Sequence, residues 1–389
     1  MRRFPCRLKV SRVLDLAKQY LERTVVANRR ADGLYYAYYL MQVDPDGGIS
    51  IRQLAEMLEG QVAVLSSGCL DARESIDLLE SLRASSLYRP DQHRYLLYPD
   101  RILTGFMEKN VLPERFVDES LLLKKMLEMK DKRLVSRDAA GQVRFHPEFR
   151  NSADLCAAMD GVEECDSLER DRLLAAYEAV FDHQSFTGRS GTFFKYEGLG
   201  CIYWHMVSKL LLAVQEILIE ARSQNETPEV VARLLERYGE IQAGVGAKKS
   251  VIEQGAFPTD PYSHTPSMLG AQQPGLTGQV KEDFIVRLRE LGVRIEEGCL
   301  KFDPFLLADT EFLEESAEFA GMTLAAGSFG FTFCKVPIVI GRANRMAICV
   351  RYHDGNNVRS DELCLDAATS RDIFCRRGVV ELIEVSMLC

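Results

Sequence analysis

The stretch Leu276–Pro304, LTGQVKEDFIVRLRELGVRIEEGCLKFDP, changes its period halfway along. Val280, Phe284, Ile285 and Leu288 fall at helical spacing and predict a helix over Gln279–Leu291. Past Gly292 the pattern shortens to Arg294-Ile295-Glu296 and Leu300-Lys301-Phe302, which read as strands, and Asp303-Pro304 reads as the turn that follows. A mainly helical part is therefore expected over 1–292 and a small antiparallel β domain over 293–389. Thr277 is placed to cap the predicted helix. The unpaired N–H groups of a first helical turn, the threonine hydroxyl and Gly278, which lets an oxyanion approach the backbone, make a candidate anion site with phosphate as its commonest guest. An ordinary capped helix after a turn is the simpler alternative.

Upstream, Gly255–Asp283 has almost no apolar periodicity and carries Pro258, Pro261, Pro266 and Pro274, each of which fixes φ and removes a donor. A stiff loop of that kind holds ligands. Downstream, Phe329–Ile340, Met346–Tyr352, Glu362–Leu365 and Val379–Val385 are further β-type runs, broken by turn signals such as Asp354-Gly355-Asn356-Asn357.

The first 250 residues read as helices. Leu8–Ala27 is amphipathic, and Asn28–Gly48 is a tyrosine-rich loop. Ser50 is read as the cap of a helix running to Leu65, and Ser66-Ser67-Gly68 joins it to a second helix opened by the capping-box pair Asp71 and Glu74. After a loop at Arg89–Asp100 come a helix near Glu119–Met129, a β-hairpin around Ala140-Gly141, a helix over Asp154–Met159 and another over Asp166–Phe181, with a second box at Asp166 and Glu169. Leu199–Ala221 is the central core helix, and Thr227-Pro228-Glu229 opens the next. Short-looped helices with long irregular loops between every second pair describe a toroid of helical hairpins better than a four-helix bundle.

Composition narrows the function. The 389 residues are 47% hydrophobic and 27% charged, with a net charge of -9. That balance fits a globular protein and argues against a nucleic-acid or anionic-membrane surface. No apolar run reaches membrane-span length, and Met1-Arg2-Arg3 lacks the apolar segment of a signal peptide, so a cytoplasmic protein is expected. The eleven cysteines are scattered with no CxxC pair and read as mostly buried thiols. Neither they nor the six histidines have metal-ligand spacing, and no metal is expected.

Ser185–His205 is unusually dense in chemistry: glycines at 188, 191, 198 and 200 lie among Arg189, Lys195, Tyr196, Glu197 and His205. It does not match a nucleotide P-loop. His205 lies within an apolar helix, where a satisfied core histidine is the ordinary alternative. Asp260, Glu282, Asp283 and Asp303 are the carboxylates to test first as acids or bases in sugar chemistry.

Several of these stretches resemble the inverting sugar phosphorylases of the cellobiose and chitobiose phosphorylase type, glycoside hydrolase family 94 (formerly glycosyltransferase family 36), and the large bacterial proteins related to them. Glu197-Gly198-Leu199-Gly200-Cys201-Ile202-Tyr203-Trp204-His205 is similar to that family's Glu-Asn-Gly-Gly-x-Tyr-x-His motif, with one extra residue and no asparagine. Asp260-Pro261-Tyr262 followed by Leu276-Thr277-Gly278, then Leu291-Gly292-Val293 and Asp303-Pro304, look like its later motifs, and Glu59–Gly68 like its Gln-x-Trp-Ala-Val-Leu-Ser-Gly helix. The resemblance implies part of an (α/α)6 toroid followed by a β domain, and phosphorolysis of a β-linked di- or oligosaccharide. It implies that His205, Thr277 and Gly278 bind the attacking inorganic phosphate, the co-substrate, with no other cofactor. Arg189, Tyr196, Glu197, Asp260, Tyr262, His264, Gln272 and Gln273 become saccharide-binding candidates. The family's catalytic aspartate sits in an Asp-Trp-Asn context that this chain lacks, its one tryptophan being Trp204. The chain is thus expected to be a C-terminal segment whose acid comes from an upstream-encoded partner. A non-catalytic glycan-binding module and an inverting glycoside hydrolase are the other two readings.

Overall fold

The computed structural model describes residues 7–43, 47–90, 93–100, 105–183, 202–245, 264–265 and 279–388. Helix α1 (Arg7–Ala27) leads the chain; Val13, Leu14, Tyr20 and Leu21 stand exposed on it, while Val25 near its end packs against the main core. Ser50 does not open a helix. It belongs to an antiparallel hairpin of β1 (Tyr39–Val43) and β2 (Ile49–Gln53), facing Gln42 across the ladder. Ile49 and Ile51 alternate with Ser50 and Arg52, a period of two that outweighs the serine as a cap signal. Helix α2 (Leu58–Leu65) begins only after Met57. The fully buried Gln61 amide accepts from Tyr35 N at 2.9 Å and donates to Tyr35 O at 2.8 Å and Met57 O at 2.9 Å, stitching the preceding loop to this helix. Asp71 caps α3 (Ala72–Ala84) in a reciprocal box: its carboxylate accepts from Glu74 N at 2.8 Å, and Asp71 N donates to the Glu74 carboxylate at 3.1 Å. A short hairpin, β3 (Tyr88–Arg89) and β4 (Arg94–Tyr95), follows where a loop was expected.

Residues 105–183 form a unit of their own. Helix α4 (Phe106–Lys109) leads in, and helices α5 (Glu114–Glu119) and α6 (Leu121–Met129), the hairpin β5 (Val135–Arg137) and β6 (Val143–Phe145), and helices α7 (Ser152–Asp160) and α8 (Ser167–Phe181) close around one core. That core draws every member from between Leu112 and Phe181. Asp166 caps α8 by accepting from Glu169 N at 2.8 Å, but the expected box does not close. The Glu169 carboxylate turns inward and accepts from Ser120 Oγ at 2.5 Å, and Ser120 in turn caps α6.

The main core joins residues 34–96 to residues 202–286 across that unit. Its axis is α9 (Trp204–Ser223), with Leu210, Ala213, Val214 and Leu218 wholly buried. A two-residue ladder of β7 (Ile202–Tyr203) with β8 (His264–Thr265) precedes it in space, and α10 (Pro228–Gly244) and α11 (Gln279–Glu290) pack beside it. Gly292 stops α11: its φ is +74°, and a Cβ there would lie 2.3 Å from Pro304 N. Asp303 N donates to Gly292 O at 2.8 Å, so the chain folds back on itself at the predicted Asp-Pro turn.

The last core runs from Leu291 to Val385. Hairpins β9 (Val293–Glu296) with β10 (Cys299–Phe302) and β11 (Ala317–Phe319) with β12 (Met322–Leu324) lead to a five-stranded sheet of β13 (Ser328–Phe333), β14 (Val336–Ala343), β15 (Ala347–Tyr352), β16 (Asn357–Ser360) and β17 (Val380–Leu388), in the order β13-β14-β17-β15-β16. Here the expectation of an antiparallel domain fails, because β17 runs parallel to β14. Helix α12 (Ala367–Phe374), capped by Asp366, carries the chain back across the sheet to make that pairing.

The fold is therefore mixed α/β, and the expected toroid of helical hairpins is not what forms. Helices α5–α8 bury their apolar faces on one another instead of joining a common ring, and β-hairpins interrupt the helical part. The described cysteines are half-buried, with Cys375 exposed, and not the buried thiols expected. Among the described residues no helix is long and apolar enough to cross a membrane.

Candidate functional site

Helices α9 and α11 lie side by side and run the same way. His205 meets Glu282, Ser208 meets Asp283, Gln215 meets Val286 and Glu216 meets Arg289, so residue numbers rise together along the seam. Two parallel helices start at the same end, and the positive ends of their dipoles add there.

His205 is the second residue of α9, with its side chain 17% exposed. Nε2 lies 3.2 Å from Glu282 Oε1 on the first turn of α11, and Nδ1 lies 3.3 Å from the Tyr203 hydroxyl. Both ring nitrogens are engaged. Ser208, one turn further along, donates to Asp283 Oδ1 at 3.1 Å. Beside His205, the ring of Trp204 stacks under the guanidinium of Arg94, which is 1% exposed and 4.9 Å from the ring centre. The start of α9 thus gathers a buried cation, an imidazole, a phenol and two carboxylates.

Glu282 stands apart within that group. Its side chain is 5% exposed, Lys281 Nζ approaches Oε1 at 3.6 Å, and Oε2 is buried with no hydrogen-bond partner. Leaving one such atom unsatisfied costs about 1–3 kcal/mol. At the other end of α11 a second buried glutamate is fully used: Glu290 accepts from Tyr238 at 2.6 Å, from Arg287 at 2.9 Å and from Gln242. Burial and the adjacent Glu290 push the Tyr238 phenol well above its ordinary range, and hydrogen bonds to Glu311 and Glu290 raise Arg287.

The structure places the candidates as follows. His205 sits at the end of the seam where both helices start, and the backbone of His264 pairs with Tyr203, two residues before it. Thr277, Gly278, Arg189, Tyr196, Glu197, Asp260, Tyr262, Gln272 and Gln273 lie outside the described residues. Asp283 and Glu282 are brought to His205, whereas Asp303 is not: it lies 3.7 Å from Arg222, about 25 Å down α9 at 1.5 Å per residue. Sequence reasoning missed Arg94, Tyr203 and Ser208. Arg94 leaves a trace, a lone cation opening the otherwise apolar run Tyr95-Leu96-Leu97-Tyr98. Among the described residues no cluster of His, Cys, Asp and Glu is arranged to hold a metal ion.

Residues 103–184 match the family model described as GH149 phosphorylase insertion domain 2. The matched span coincides with the unit that closes around its own core. The chain is thus similar to a glycoside phosphorylase, a carbohydrate-active class, and the match falls on the GH149 type and not on the cellobiose phosphorylase type. No curated protein matches the chain.

Proposed function

We propose that the chain supplies the phosphate and saccharide contacts of an inverting glycoside phosphorylase acting in the cytosol, with inorganic phosphate as co-substrate and no further cofactor. The observation that carries this reading is the 3.2 Å contact between His205 and Glu282, which sets the histidine against the first turn of α11, directly after Thr277-Gly278. Phosphate would bind at the imidazole, at the end of the seam where the N–H groups opening that helix also lie. The backbone of His264 pairs with Tyr203, two residues before His205, and the saccharide contacts would come from Asp260, Tyr262, Gln272 and Gln273.

In the reaction a phosphate oxygen forms a bond to the anomeric carbon as the glycosidic C–O bond breaks. The leaving oxygen takes a proton, and a β-linked sugar yields an α-sugar 1-phosphate. No residue of this chain is assigned to the acid that gives that proton; an upstream-encoded segment would supply it. The test is to incubate the chain, alone and with any adjacent upstream gene product, with β-linked disaccharides with and without phosphate. Sugar 1-phosphate detected by ³¹P NMR only when phosphate is present is the expected result. Hydrolysis at the same rate without phosphate would replace this reading with a hydrolase, and glycan affinity with neither phosphate binding nor turnover would replace it with a binding module.

A further inference from the structure

An imidazole meets a ligand through one ring nitrogen, and whatever holds the other decides whether that nitrogen donates or accepts. Glu282 Oε1 holds Nε2 of His205 at 3.2 Å. With Glu282 as the acceptor of that contact, the proton would sit on Nε2 and Nδ1, 3.3 Å from the Tyr203 hydroxyl, would be an acceptor. We propose that Glu282 is the positioning residue that makes the site selective for a protonated tetrahedral oxyanion. It fixes Nδ1 of His205 as an acceptor, which takes the O–H of hydrogen phosphate in place of the Tyr203 hydroxyl. Sulfate has the same shape, the charge of the HPO₄²⁻ dianion, and no O–H to offer. The inference rests on the reading of His205 as a phosphate ligand.

The surroundings support this role. Glu282 is buried on α11 with Oε2 unpartnered, a place where an apolar side chain would carry no penalty. Its bond to the imidazole is what distinguishes it from such a side chain. The other charged and titratable groups facing the pair are Lys281, whose Nζ is 3.6 Å from Oε1; Asp283, which accepts from Ser208; and Tyr203. Lys281 offsets part of the carboxylate charge, and the dipoles of the two helices that start here favour an anion.

The experiment titrates the full chain with inorganic phosphate and, separately, with sulfate at pH 7 by calorimetry, in wild type and in Glu282→Gln, and records the ¹⁵N tautomer signature of His205 in both. Wild type is expected to prefer phosphate by about 10-fold or more, with His205 in the Nε2–H form. In Glu282→Gln the amide can donate or accept, both tautomers become available, and the preference should fall to within about 3-fold. Equal affinities in wild type, or a preference and tautomer unchanged in the variant, would overturn the proposal while leaving a phosphate site standing. Wild type that binds neither anion would remove the phosphate reading; the tautomer signal would then still decide whether Glu282 fixes the ring. Should Glu282→Gln fail to fold, Glu282→Asp keeps an acceptor set further back and is expected to give an intermediate preference; an unchanged one would count against the proposal.

Discussion

The two ends of the α9–α11 seam are built from similar side chains and treat them differently. At the far end Glu290 collects three donors, Gln215 Nε2 bonds both Val286 O at 3.0 Å and Tyr238 at 3.3 Å while its own Oε1 stays unpartnered, and Arg287 is shared between Glu290 and Glu311. At the near end Glu282 has one ring nitrogen and a distant lysine, and leaves an oxygen orphaned. A buried carboxylate with three donors fixes a structure; one with an orphaned oxygen still has a partner to gain. The two glutamates of α11 differ in that respect.

The largest effect that would break this contrast belongs to the far end. Glu290→Ala strands three donors at once, and it is expected to lower the stability read from urea unfolding by about 3 kcal/mol. Tyr238→Phe removes one hydroxyl from the same network, with an expected loss of about 1–2 kcal/mol. Tyr238 also sets an alkaline limit. Because burial and Glu290 raise its folded value above the unfolded one, its contribution is intact below about pH 10, the ordinary tyrosine value, and declines above it. Melting temperatures between pH 9 and 11 should therefore fall more steeply in wild type than in Tyr238→Phe. At the near end, Glu282→Gln should shift stability by less than about 1 kcal/mol, since it neutralises a half-satisfied carboxylate while keeping the shape. A loss as large as that of Glu290→Ala would erase the distinction between the two ends.

Local signals in the sequence were dependable where one physical preference acted alone. The Asp71–Glu74 box, the hairpin around Ala140-Gly141, the proline-opened α10 and the stop at Gly292 all formed on the residues that carry their chemistry. Prediction failed where two preferences competed or where partners were distant. Ser50 offered a cap inside a two-residue alternation, and the alternation prevailed; Glu169 had a backbone N–H within reach and a buried Ser120 further off, and took the serine. The parallel pairing of β14 with β17 and the closure of α5–α8 on themselves depend on which apolar face finds which, and periodicity does not specify that. In the site, His205 was legible as a histidine next to glycines in a motif order, and Glu282 as one carboxylate among four. Their contact at 3.2 Å, 77 residues apart, was not.

The most direct measurement is a phosphate titration of wild type, His205→Ala and Arg345→Ala, the last altering an exposed ion pair in the β domain as a control. Saturable phosphate binding in wild type and the control, weakened about 10-fold or more in His205→Ala, is what a phosphate site at the start of the seam requires. Identical saturation in all three proteins would contradict it.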